Sequence, residues 1–336
     1  MTHPITPHLL SKIAACFGLP DRTSPILLGN SSNLIFETQY REKPAILRVS
    51  AKSAAEMPHY QAEIDWVNTL AENGAPVCRA LPSRNGNVVE GFGQPGASWL
   101  VSVFEKAPGC PPDTGSPQEW NAALFTEWGR TMGKIHQLSS RYAAQPAPRQ
   151  RGQWQEDIYF QPTYNFAQEE EGAARAWAEV IHRLQALPKA PGMYGLIHND
   201  FHQGNFFVHN RQITVFDFDD CLYHWYTCDI AIALYHAVES VPKAEPALRR
   251  IHLVNFAREF LHAFLDGYQK AYTVPQGWAA QLPLFLEYRR LCSYRYLSAY
   301  WPVSQREDWQ QSLLERMRKK IEDRVLDLEI DFSRIA

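Results

Sequence analysis

Apolar positions set the first reading of the chain. Thr6 and Pro7, then Leu9, Leu10, Ile13 and Phe17, closed by Gly18, predict a short helix with a hydroxyl cap, a first-turn proline and a glycine stop. Residues 26–28, 34–38 and 45–49 are short strand-like runs. They are separated by Gly29-Asn30-Ser31-Ser32-Asn33 and by Arg41-Glu42-Lys43-Pro44, a spacing that predicts an antiparallel meander. Ile64, Val67 and Leu70 follow helical spacing, so residues 54–73 read as a helix ending at Asn73-Gly74. Strand character resumes at Val88-Val89 and at residues 99–104.

Beyond Phe104 the pattern changes period. Residues 109–117 form a Gly- and Pro-rich loop, and Trp120, Leu124, Trp128, Met132 and Ile135 then trace a long amphipathic helix. A second loop over 143–151 carries Pro146 and Pro148, and a helix is expected around 173–187, broken by residues 188–192. From Asp229 onward the chain reads as mostly helical. The last helix is expected to open with a capping box, Ser304 with Glu307, and to carry its apolar stripe at Trp309, Leu313, Met317, Ile321 and Leu328. At roughly 150 residues per domain, a chain of 336 residues suits two domains. The change of pattern divides it into residues 1–105, sheet plus one long helix, and residues 106–336, mostly helix.

Charge and composition narrow the function. Lys plus Arg total 33 against 36 Asp plus Glu, a net charge of -3, so no global positive field favours nucleic acid or anionic lipid. The hydrophobic content of 45% excludes a disordered chain. No secretory pattern opens the sequence, and no apolar run approaches the roughly 18 residues of a membrane helix. The six cysteines are scattered without a CxxC pair, which predicts reduced thiols and a cytoplasmic protein.

The chemistry concentrates in residues 196–220. Phe206-Phe207-Val208 and residues 213–216, with His209-Asn210-Arg211-Gln212 between them, predict a hairpin. Its antiparallel strands bring Asn205, just before the first, beside Asp217, just after the second. An amide oxygen and a carboxylate at one point suit a hard cation such as magnesium, which expects phosphate oxygens as further ligands. Asp200 stands five residues before Asn205, on the preceding loop.

His198-Asn199-Asp200, four residues and Asn205 match the H-x-D-x-x-x-x-N catalytic loop of protein-kinase-like phosphotransferases, with Asp217-Phe218-Asp219 in the place of D-F-G. The string resembles the aminoglycoside phosphotransferase and choline kinase-like family, whose H-G-D-L-H-P-G-N precedes I-D-F-(D/E). The interval from Asp217 to Asp229-Ile230 also resembles that of choline kinases. The resemblance implies an α+β, bilobal protein-kinase-like fold, an antiparallel sheet lobe followed by a larger helical lobe. It implies ATP and Mg2+ as cofactors, a small-molecule hydroxyl as acceptor, Asp200 as catalytic base, and Asn205 and Asp217 as metal ligands.

The N-terminal parts follow in order. Ala45-Ile46-Leu47-Arg48 resembles the V-A-I-K strand, with Arg48 in place of Lys and Glu63 as its partner on the next helix. Ser31 and Ser32 sit where a glycine-rich nucleotide loop belongs, although the segment has one Gly. Phe104, Glu105 and Ala107 would meet the adenine edge. His198, His202, Asp219 and Asp229 are supporting candidates, each with a plainer reading: a buttressing loop histidine, a surface histidine, a solvated acid and a first-turn helix acid.

Other readings remain open at this point. The same fold could serve as a pseudokinase or nucleotide-binding interaction protein, or phosphorylate protein Ser/Thr. Phe216-Asp217-Phe218-Asp219-Asp220-Cys221 could instead be a phosphohydrolase motif with Asp217 as nucleophile, against which stand Cys221 at the Thr/Val position and the lack of alternating strand and helix afterward. Tyr223, His224, Trp225, Tyr226, Tyr235, Tyr288, Tyr294, Tyr296 and Trp301 could line a cage for a quaternary ammonium group or fill a helical core. The acceptor is not legible: amino alcohols, aminoglycosides, homoserine and sugars all remain.

Overall fold

The alternating runs of the first third fold as one antiparallel sheet. In this computed structural model, residues 5–20, 26–30, 32–94, 97–142, 150–167, 170–241, 246–324, 328 and 330–335 are described. Strands β1 (Ile26–Gly29), β2 (Leu34–Tyr40), β3 (Lys43–Ser50), β4 (Ala80–Leu81), β5 (Glu90–Gln94) and β6 (Ala97–Glu105) are ordered β1-β2-β3-β6-β4, with β5 also on β6. Arg41 and Glu42, both left-handed at φ 50 and 65, make the two-residue turn that suits the twist of the β2–β3 hairpin.

Alternation along β6 divides the packing. Trp99, Val101 and Val103 meet Leu9, Ile13 and Phe17 of helix α1 (Pro7–Phe17), whereas Leu100 packs with Tyr60 and Ile64 of helix α2 (Met57–Glu72). Helix α2 also sends Trp66, Val67 and Leu70 into the core of the C-terminal part. Val88-Val89 is not a strand. The pair ends a turn before β5, where Val89 is buried and the Val88 carbonyl accepts from the Ser102 hydroxyl at 2.8 Å; burial, not pairing, explains those valines.

The remaining chain is mainly helical: α3 (Ala122–Ser139), α4 (Glu171–Gln185), α5 (Tyr226–Glu239), α6 (Pro246–Gln269), α7 (Trp278–Tyr300) and α8 (Asp308–Glu322). Two small antiparallel pairs interrupt them, β7 (Tyr194–Ile197) with β10 (Leu222–Trp225), and β8 (Phe206–His209) with β9 (Gln212–Val215). Helices α3 and α6 approach to backbone contact. A Cβ on Gly129 would lie 1.8 Å from the Phe264 carbonyl oxygen, and one on Gly267 1.8 Å from that of Thr126. Among the described residues, no helix is long and apolar enough to cross a membrane.

Helix α8 differs from expectation at both ends. Its cap is Glu307, whose box partner is Gln310, while Ser304 lies in a separate single turn, Val303–Gln305. Leu314 and Ile321 are buried and Trp309 is exposed; the helix stops at Glu322, so Leu328 packs beyond it. Arg324, left-handed at φ 57, turns the chain away.

The β8–β9 hairpin docks directly against the sheet side of the molecule. The Cys78 amide donates to the Val215 carbonyl at 2.9 Å, the Val215 amide to that of Pro76 at 2.8 Å, and the Val208 amide to that of Cys110 at 2.8 Å. These bonds fix the cleft in which the site lies.

Candidate active site

A cavity of about 350 Å3 opens between the sheet and the hairpin, a size within the range of small-molecule sites. Its walls include Leu28, Ile46, Phe104, Glu105 and Ala107 on the sheet side, and Phe207, Phe216 and Asp217 on the other, with Arg48 and Glu63 at the back. Phe104, Glu105 and Ala107 thus line the cleft.

Arg48 is almost wholly buried and contacted from several directions. Its Nη2 lies 2.7 Å from Glu63 Oε1, its Nε donates to the Tyr60 hydroxyl at 2.9 Å, and the Tyr60 and Phe104 rings lie 4.7 and 5.0 Å from its guanidinium carbon. Burial opposes its charge, but Glu63 overrides that and raises its pKa well above the ordinary value. A permanent cation therefore stands at the back of the cleft.

The loop after β7 is held from below by Asp229. This acid, in the first turn of α5 and fully buried, accepts from the His198 amide at 3.0 Å and the Asn199 amide at 2.9 Å. Its Oδ2 also meets His136 Nε2 at 3.1 Å, and the other ring nitrogen of His136 meets the Tyr268 hydroxyl at 2.8 Å. The α3–α6 packing thereby reaches the loop. Asn199 is left-handed at φ 66, which re-aims the chain toward Asp200.

His198 is a buttress. Its Nε2 donates to the Phe216 carbonyl at 3.0 Å and its Nδ1 accepts from the Asp200 amide at 3.3 Å; burial lowers its pKa and keeps the ring neutral.

Asp200 meets three donors. Arg289 Nη2 lies 2.8 Å from Oδ1, while Asn205 Nδ2 at 2.9 Å and His202 Nε2 at 3.2 Å meet Oδ2. Burial would raise its pKa, but Arg289 and His202 hold it well below the usual carboxylate range. Asn205 also donates to the Asp200 carbonyl at 2.9 Å, and its own carbonyl accepts from the Phe216 amide at 3.0 Å. The hairpin thus brings Asn205 next to the Phe216–Asp217 step.

Asp217, left-handed at φ 66, opens its carboxylate to the cleft. Desolvation in the cleft and the neighbouring Asp219 raise its pKa well above the ordinary value, and the same two causes raise that of Asp220, although both residues keep exposed surface. Asp219 accepts from Asn33 Nδ2 at 2.8 Å, and Asn33 in turn accepts from the Ser50 hydroxyl at 2.6 Å. The donors are all oxygen and carry excess negative charge, which fits a divalent cation such as Mg2+.

A family model described as "Phosphotransferase enzyme family" matches residues 24–284. The chain belongs to the phosphotransferase enzyme family. An amicoumacin kinase from Bacillus subtilis (strain 168) is 29% identical over 331 residues, covering 98% of this chain and 95% of the relative. A solved amicoumacin kinase in complex with AMP-PNP, Ca2+ and Ami is similar with a TM-score of 0.89 at 28% identity, covering 98% of this chain and 96% of that one. A microcompartment-associated aminopropanol kinase matches in fold with a TM-score of 0.73 at 23% identity, covering 94% and 95%. The fold is therefore the kinase-like one of these phosphotransferases, an antiparallel sheet followed by a larger helical part.

Within this family frame, several expectations need correction or extension. Ser32 is exposed in the β1–β2 turn, Ser31 lies outside the described residues, and it is Asn33 that reaches the acid cluster. Of the aromatics considered as a cage, His224, Trp225, Tyr226, Tyr288 and Tyr294 are buried in the core, because β10, the first residue of α5 and α7 turn them inward. The Asp217-Phe218-Asp219 segment follows an antiparallel hairpin, not a parallel α/β strand, so the phosphohydrolase reading finds no support in the fold.

Sequence reasoning missed Arg289, His236, Asn33, Arg151 and Asp157. Arg151 donates to the backbone carbonyls of Cys221 and Asp219, and buried Asp157 accepts from Asn199 Nδ2 at 2.9 Å. Only Asn33 carried a signal, as part of the polar turn after β1.

Proposed function

We propose that the chain is a kinase that uses ATP and a divalent cation to phosphorylate a hydroxyl of a small molecule. The observation that carries this reading is the juxtaposition at the cleft floor: Asp200 bonded to Asn205, and Asn205 bonded through Phe216 to the step that presents Asp217. The wider comparison agrees, since the similar solved kinase binds AMP-PNP and Ca2+.

In this reading the sheet-rich residues 1–105 cover the nucleotide, and residues 106–336 hold the catalytic loop and the acceptor. The adenine lies against Phe104, Glu105 and Ala107, and Arg48, oriented by Glu63, contacts the phosphates. Asn205, through its amide oxygen, and Asp217, assisted by Asp219, would hold Mg2+, which when bound neutralises charge on the transferred phosphoryl group. Asp200 takes the hydrogen bond of the acceptor hydroxyl and receives its proton late, as suits a carboxylate that stays ionised. Asp229 and His198 hold the loop that carries it. Catalysis then rests on alignment and electrostatics more than on a strong base.

An amicoumacin-type antibiotic is the first acceptor to test, followed by aminoglycosides, amino alcohols, homoserine, sugars and a generic protein acceptor. The six unpaired thiols suit a reducing, cytoplasmic setting. ADP release above background with one acceptor, abolished in Asp200→Asn while ATP affinity stays within about threefold, supports the assignment. Native turnover by that variant sinks it, and nucleotide binding without turnover on any acceptor supports the pseudokinase alternative.

A further inference from the structure

Helix α7 places Arg289 on the catalytic loop, five residues beyond the last one that the family model matches, so family membership assigns it no role. Its side chain is 12% exposed, and a cation buried to that degree is stable only when paired. Its partners are specific. The Nη2 group divides its two hydrogens between Asp200 Oδ1 at 2.8 Å and His236 Nε2, on α5, at 2.8 Å.

The other side of the carboxylate is equally determined. The Gly204 amide donates to His202 Nδ1 at 2.9 Å, which leaves the ring proton on Nε2, facing Asp200 Oδ2. Asn205 Nδ2 occupies the same oxygen. An ionised carboxylate offers about four lone-pair sites. Among the described residues, Oδ2 accepts from Asn205 and has His202 Nε2 against it at 3.2 Å, whereas Oδ1 meets Arg289 alone. The more open acceptor position on Asp200 therefore lies on the oxygen that Arg289 holds.

We propose that Arg289 is a positioning residue for phosphoryl transfer: backed by His236, it fixes the Asp200 carboxylate so that the remaining lone pair of Oδ1 meets the acceptor hydroxyl. Asp200, His202 and His236 also bring potential metal-ligand atoms within 4.8 Å of one another, but Arg289 already contacts two of the three. The cation at that point is the guanidinium. The inference rests on the reading of Asp200 as the residue that engages the acceptor.

The test compares Arg289→Met, Arg289→Lys, Arg289→Gln and Asp200→Asn in two assays. One is phosphorylation of amicoumacin; the other is slow ATP hydrolysis without acceptor, in which water takes the place of the hydroxyl. A carboxylate displaced by about 1 Å costs on the order of 100-fold in rate, so Arg289→Met is expected to lose about that in kcat. KM for ATP is expected to stay within about threefold, because Arg289 is not among the residues that line the cleft assigned to the nucleotide. Arg289→Lys, which keeps the charge, is expected to recover at least about tenfold. Should Arg289→Met prove insoluble, Arg289→Gln, which keeps an amide donor for Asp200, is judged by the same criteria. Native kcat in the Arg289 variants with Asp200→Asn inactive overturns the inference alone. Equal damage to kcat and KM for ATP without rescue by Lys also overturns it, as a structural role. Full activity of Asp200→Asn overturns the underlying reading and this inference together.

Discussion

The Arg48–Glu63 pair allows stability and function to be separated by experiment. Both side chains are nearly inaccessible, 4% and 2% exposed, and their charged atoms lie 2.7 Å apart. Removing one partner of such a pair leaves a buried, uncompensated charge, which costs about 3–5 kcal/mol. For Glu63→Gln the loss is expected near the lower bound, about 3 kcal/mol, because the Tyr60 hydroxyl and the two flanking rings still stabilise the Arg48 cation. Arg48→Met leaves Glu63 without such help and is expected nearer 5 kcal/mol.

The double variant Arg48→Met/Glu63→Leu removes both charges from a dry site and fills it with apolar atoms. It is expected to be more stable than either single variant, within about 1–2 kcal/mol of the parent, since desolvation of the ion pair is no longer opposed. Activity should go the other way. Loss of a charge-assisted contact to phosphate is worth about 1.5–3 kcal/mol, or roughly 10- to 150-fold in ATP affinity, and neither Met nor Leu restores it. Denaturant unfolding followed by tryptophan fluorescence, beside calorimetric titration of ATP with Mg2+, measures both. If the double variant is destabilised by the sum of the singles, the two residues are not coupled. If it binds and turns over ATP like the parent, the pair exists for the fold and the nucleotide role of Arg48 is wrong.

Three further outcomes follow from single contacts. Asp229→Ala strips the acceptor from the His198 and Asn199 amides and from His136, and is expected to cost about 3–5 kcal/mol together with most of kcat; an active, fully stable variant would refute the hub. Burial holds the pKa of fully buried His224 down at about 3, so between pH 6.5 and 3 the unfolded chain binds a proton that the folded chain refuses. Stability should therefore fall on acidification by up to about 1.4 kcal/mol per pH unit for this residue, a slope that His224→Asn removes and that unfolding curves across that window record. Gly129→Ala gains about 1 kcal/mol of helix propensity but places a Cβ 1.8 Å from the Phe264 carbonyl oxygen. Overpacking at backbone contact should win, with a net loss of about 1–3 kcal/mol on denaturation and no change in the pH dependence of turnover.

The legible part of this molecule is the part whose chemistry is local. Asp200, Asn205 and Asp217 lie within one loop and one hairpin, so a two-residue turn, Asn210-Arg211 at φ 50 and 64, is enough to predict that the last two meet. Arg289 and His236 were illegible for the opposite reason: Arg289 reaches Asp200 across 89 residues and His236 across 53, by helix packing that no periodicity encodes. The β7–β10 pair escaped similarly, since four-residue strands 25 positions apart carry little pattern of their own. At α8 two overlapping boxes competed, Ser304 with Glu307 and Glu307 with Gln310, and both satisfy the same spacing rule. The single-turn Val303–Gln305 decided between them by using Ser304 first. Arg48, the point at which the chain departs from the V-A-I-K pattern, is explained by what surrounds it. Tyr60 and Phe104 place ring faces against the guanidinium, and the Tyr60 hydroxyl accepts from Nε, a donor that lysine lacks. With a net charge of -3 offering no general attraction for phosphate, the proposed function relies on a cation fixed by those rings to contact one.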